Sequence, residues 1–83
     1  MYVGVIHRIH DPAGFQAAEA KAVEQGLPEG FGLPVQAATP DHTTGLCIWQ
    51  GPSVQAVREL VESVVAPYST NEYFEVELEG RTG

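Results

Sequence analysis

The chain has 83 residues, 43% of them hydrophobic, and a formal net charge of −7 from eleven acidic and four basic side chains. That length makes one small domain with little stability margin, and the apolar content excludes a disordered chain. The charge excludes nucleic acid and an anionic membrane surface as partners, because phosphate neutralisation needs clustered Lys and Arg.

Cys47 is the only cysteine, so no internal disulfide framework exists. No apolar run approaches the roughly 20 residues that span a bilayer. The N-terminus enters a strand pattern directly, without the basic segment and apolar core of a leader. A cytoplasmic location is the expectation.

Residues Tyr2 to Ile9 alternate, with Val3, Val5, His7 and Ile9 on one face and Tyr2, Gly4, Ile6 and Arg8 on the other. Both faces are partly apolar, which predicts a central strand covered on both sides. Asp11-Pro12 starts a helix, since Asp accepts from free backbone N–H groups and Pro needs no donor at the first helical position. Phe15, Ala18, Ala22 and Val23 form a stripe at helical spacing, and Gly26 suits the helix end. Leu27 to Pro34 is rich in Gly and Pro and reads as a loop. Val35 to Thr39 and Leu46 to Gln50 read as strands of a hairpin around the turn from Pro40 to Gly45.

Ser53 caps a second helix, in which Val54, Val57, Val61, Val64 and Val65 recur at period 3.6 and which Pro67 stops. Tyr73 to Glu79 alternates strictly. Phe74, Val76 and Leu78 are the expected buried face, with Tyr73 and the glutamates opposite. One domain over residues 1–79 is expected, with a loose tail at 80–83.

The order β-α-β-β-α-β predicts a ferredoxin-like α+β fold, a four-stranded antiparallel sheet with two helices on one face. The other face then needs a cover, and a second copy of the chain would supply it. Such a homodimer, resembling a dimeric α+β barrel, would enclose a ligand cleft.

His7 and Cys47 are the residues with most chemistry. Imidazole and thiolate together suit a transition metal, and neighbouring strands would bring the two onto one face. His10 or His42 could supply a third ligand. The alternative is a buried apolar cysteine beside a satisfied histidine. Trp49 and Tyr73 either line a ligand cleft with His7 or pack in the dimer interface. Glu75, Glu77 and Glu79 read as a solvated face. No nucleophile triad, phosphate loop or buried carboxylate pair is evident.

Three segments, Gly4-Val-Ile-His7, Leu46-Cys-Ile-Trp-Gln-Gly-Pro-Ser53 and Asn71-Glu-Tyr-Phe-Glu-Val76, resemble the small bacterial ferredoxin-like proteins that include a nickel-binding, nickel-responsive member. The resemblance implies a homodimer and metal ligation by His7 and Cys47, with nickel or another divalent transition metal as the ion. Family members tend to carry histidines in and after the second helix, and Val54 to Val65 has none. More loosely, the pattern is similar to the dimeric α+β barrel group that includes cofactor-independent monooxygenases and cyclases. That resemblance implies a pocket lined by His7, Trp49 and Tyr73, with His7 transferring protons. A domain that only mediates assembly is the third expectation.

Overall fold

The computed structural model describes residues 1–80. The elements are β1 (Tyr2–Ile9), α1 (Pro12–Gln25), β2 (Gly32–Ala38), β3 (Thr44–Gln50), α2 (Val54–Val65) and β4 (Ser69–Val76). The strands form one antiparallel sheet in the order β2-β3-β1-β4. This is the ferredoxin-like βαββαβ arrangement expected from the sequence. Both helices lie on one face. Residues 81–83, most of the expected tail, lie outside the described residues. Among the described residues no helix is long and apolar enough to cross a membrane.

Local chemistry sets the helix ends. Asp11 Oδ1 accepts from the Gly14 N–H at 3.1 Å, with Pro12 at the start of α1. Ser53 Oγ accepts from the Ala56 N–H at 3.0 Å, which satisfies one of the orphan donors of α2. Gly26 ends α1 at φ 89°, a conformation that costs glycine little.

The two helices bury different amounts. Val57, Val61 and Val65 of α2 pack under Val3, Val5 and Ile9 of β1. Each buried valine contributes about 1.5–3 kcal/mol. Phe15 is the only buried residue of α1. Val23, expected in the apolar stripe of that helix, is 51% exposed. Ala18 and Ala22 are only half-buried.

Two strands depart from the sequence reading. β2 begins at Gly32, inside the expected loop, with an irregularity in register between Gly32 and Val35. Pro34 is tolerated there because β2 is an edge strand. β4 runs from Ser69 to Val76, earlier than Tyr73 to Glu79. Its inward face is Ser69, Asn71 and Tyr73, not Phe74, Val76 and Leu78. The register decides this, since Asn71 pairs with His7 and Tyr73 with Val5 on the covered side of β1. Phe74 pairs with Gly4 on the uncovered side, where a Cβ on Gly4 would stand 2.7 Å from the Phe74 ring. The uncovered face also carries Arg8, which meets Glu72 at 3.9 Å in an exposed ion pair of small energetic weight.

Candidate functional site

The site grows from His7. Odd-numbered positions of β1 face the helices, so its ring enters the layer between sheet and helices and is 2% exposed. Gly45 sits opposite it on β3, and a Cβ there would approach His7 Cδ2 to 3.2 Å, so the glycine leaves space for the imidazole. Phe15 meets the ring edge-on, with centroids 5.0 Å apart and an interplanar angle of 67°.

A polar chain fixes the ring. His7 Nδ1 lies 2.6 Å from Asn71 Oδ1, and Ser69 Oγ donates to the same oxygen at 2.8 Å. Asn71 Nδ2 donates to Glu62 Oε2 at 2.8 Å. The Tyr73 hydroxyl donates to the same carboxylate oxygen, and the Arg58 guanidinium lies 5.0 Å from the Tyr73 ring centroid. A carboxylate only accepts, so the Asn71 atom facing Glu62 is nitrogen and the atom facing His7 is oxygen. The hydrogen between His7 and Asn71 therefore sits on Nδ1. A neutral His7 then keeps its lone pair on Nε2. Burial pushes the His7 pKa down, against opposing effects of Asn71 and Glu62, so the neutral form prevails at pH 7. Glu62 stays ionised, because the Tyr73 hydroxyl and the Asn71 amide hold its carboxyl below the usual range.

Nε2 is buried and has no hydrogen-bond partner among the described residues. Nδ1 turns to β4, Cδ2 on the opposite edge of the ring lies over Gly45 on β3, and the side chain borders the space under α1. That space is a cavity of about 220 Å³, walled by His7, Ile9, Phe15, Glu19, Gln36, His42 and Cys47. Small positions of the sheet, Ala37 and Ala38 of β2 and Gly45 of β3, line it opposite Phe15, Gln16 and Glu19 of α1. A second void of about 30 Å³ borders His7, Glu19 and Trp49 under α2, room for about one water.

The residues singled out in the sequence separate. His7 and Cys47 share the inward face, but Cys47 pairs with Val5 and His7 with Gly45. The two are diagonal neighbours, with backbones about 7–8 Å apart. Burial, with the Glu19 charge second, pushes the Cys47 thiol up to about 12, so it is protonated. His42 reaches the cavity from the β2–β3 turn at φ 60°. Asp41 organises that turn by accepting from the Thr43 N–H at 3.1 Å and from the Thr39 and Thr43 hydroxyls at 2.8 Å. His10 lies exposed beyond β1 and does not line the cavity. Among the described residues no group of three His, Cys, Asp or Glu side chains is placed to hold a metal ion.

Trp49 and Tyr73 stand on the helix-covered face with His7, and the space bordered by His7 and Trp49 lies within one protomer rather than between sheet and partner. Trp49 is half-buried, and its Nε1 has no partner among the described residues. Tyr73 lines neither cavity and instead holds Glu62.

Ser69, Asn71, Glu62 and Glu19 escape a reading from sequence alone. Asn71 and Tyr73 do share one parity on a strand, and Glu62 follows Arg58 by one helical turn. Glu19 follows Phe15 by one turn. These spacings carry a signal only once the inward face of each element is known. No family model, no curated protein and no solved structure matches the chain.

Proposed function

We propose that the cavity under α1 binds a small, neutral organic molecule that gives a hydrogen bond or a proton to His7 Nε2. The observation that carries this reading is the buried, unpartnered Nε2 of a ring whose other nitrogen is tied to Asn71. A buried acceptor without a partner costs about 1–3 kcal/mol, and a donor on the ligand removes that cost. The apolar walls, Ile9 and Phe15, supply contact area. A dry cavity of about 150 Å³ admits benzene, so about 220 Å³ suits a single substituted ring. The imidazole acts as acceptor for a bound ligand and as general base for a reactive one. We place the protein in the cytoplasm, where the Cys47 thiol stays reduced.

A second reading, a divalent transition metal such as nickel, has one observation in its favour: His7, Cys47 and His42 border the same cavity. It requires Cys47 to lose a proton that burial holds strongly.

One set of titrations separates the two. Phenol is expected to bind saturably and shift the His7 ring resonances, and Ala38→Leu, which extends a side chain into the cavity rim, is expected to abolish this. No shift with phenol, together with tight nickel binding lost in Cys47→Ser, would replace the first reading with the second.

We also assign the uncovered sheet face to a second copy of the chain. Val35, Leu46 and Phe74 stand there 38%, 45% and 40% exposed, around the buried Gly4. Dimer formation would cover an apolar face that a small domain exposes at a cost in solubility. Sedimentation equilibrium is expected to give twice the chain mass, and Phe74→Glu to give a monomer.

A further inference from the structure

Beyond Phe15, helix α1 borders empty space on its inner side. Gln16 and Glu19 line the main cavity, and Glu19, Ala22 and Val23 line the smaller void. On the outer side a hollow runs along the cleft between α1 and β2, lined by Gln16, Glu19, Val23 and Gln36. Gln16, Glu19 and Gln36 border both the main cavity and this hollow, so their side chains separate the two. One bond crosses the cleft there: the Gln36 amide of β2 donates to Glu19 Oε1 of α1. Among the described residues it is the only side-chain hydrogen bond between α1 and the sheet.

We infer that this hydrogen bond is a clasp on the cavity. It ties the loosely packed part of α1 to the edge strand, and its opening lets a small molecule pass between the two elements. This rests on the proposed reading of the cavity as a small-molecule site and adds how access to that site is controlled.

Helix α1 is held firmly only at its start. The Asp11 N–H donates to the Tyr68 carbonyl at 3.3 Å, and Phe15 packs edge-on against the His7 ring. From Gln16 to Val23 no side chain is buried. Moving that stretch away from β2 uncovers little apolar surface and leaves the valines under α2 in place. On the facing strand, Val35 to Ala38 are exposed. The clasp itself is weak, since a net hydrogen bond shifts an equilibrium by a factor of about 2–10. Lids over binding sites are drawn from such low-stability segments. The exposed rim at Ala38 and His42 is the competing route.

Cys47 reads the opening, because it is the only cysteine, is 3% exposed and borders the cavity. The test follows its modification in the full chain by dithiodipyridine, a thiol reagent built of single rings. Gln36→Met keeps the bulk of the side chain and loses the donor. It is expected to raise the labelling rate by a factor of about 2–10, with the denaturant midpoint unchanged because the position is exposed. Gln36→Lys restores a donor to Glu19 and is expected to return the rate to the wild-type value or below. Equal rates in wild type and Gln36→Met overturn the clasp and leave the His42 rim as the way in. Equal rates in Gln36→Met and Gln36→Lys overturn it too, since the bond is then not what matters. A rise matched by an equal loss of global stability also overturns it, by placing the entry in unfolding. Saturating phenol is expected to slow labelling in all three chains. If phenol gives no protection while the two variants still differ, the small-molecule reading falls and the clasp stands as a gate on the cavity.

Discussion

The two halves of the helical layer are built on different principles. Under α2 the space is filled by Val57, Val61 and Val65, and its polar residues join one connected chain from Arg58 and Glu62 through Asn71 to His7. Under α1 the space is left open, because Ala37, Ala38 and Gly45 of the sheet stand opposite Phe15, Gln16 and Glu19 where branched side chains would close it. The filled half holds the imidazole still. The open half gives it something to act on. A domain this small has little stability to spare for a cavity, and the proposed function rests on the α1 side.

The largest expected effect breaks the filled half. Val57→Ala should lower unfolding free energy by about 2–3 kcal/mol in a denaturant titration, from lost burial and a residual void. Ala38→Leu on the open side should change it by less than about 1 kcal/mol, because an exposed rim position has room for the added methylenes. Equal losses from the two would erase the contrast.

Next comes the polar chain. Asn71→Ala leaves Nδ1 and Ser69 without their shared acceptor and frees one Glu62 contact. A loss of about 1–3 kcal/mol is expected, accompanied by exchange between the two imidazole tautomers in NMR. A stable variant with an unchanged tautomer would show that Asn71 does not set it.

The smallest effect is in pH. The folded pKa of His7 lies below its ordinary 6.5, so below pH 6.5 the unfolded chain takes up a proton that the folded chain refuses. Stability is therefore complete above pH 6.5 and falls as pH drops toward the lower folded value. Glu19, whose pKa is raised, works in the opposite direction at lower pH, so the comparison is with His7→Gln. Wild type should lose more stability than His7→Gln between pH 7.5 and 5.5. Parallel pH curves would mean that His7 takes up its proton at the ordinary pH.

Periodicity made the fold legible. Valines at period 3.6 between Ser53 and Pro67 mark α2, and alternation from Tyr2 marks β1. The start of β4 was hidden because Ser69, Thr70, Asn71 and Glu72 are poor strand formers. They pair only because β1 presents a free edge to them, Ile9 against Ser69 and His7 against Asn71. The same override inverted the inward face of β4, since Phe74 outweighs Asn71 in hydrophobicity but must lie over Gly4. His7 and Cys47 were legible as chemistry-bearing side chains. Their partners Asn71, Glu62 and Glu19 were not, because each earns its role from a register or a helix face that no local pattern encodes.

The central claim is that His7 is a neutral imidazole with its hydrogen held on Nδ1 and its lone pair free on Nε2. Long-range proton–nitrogen NMR of the uniformly labelled protein reads both ring nitrogens directly. At pH 7 one protonated Nδ1 and one unprotonated Nε2 are expected, with no averaging between them. A hydrogen on Nε2, or a doubly protonated ring, would contradict the claim and leave the cavity without its acceptor.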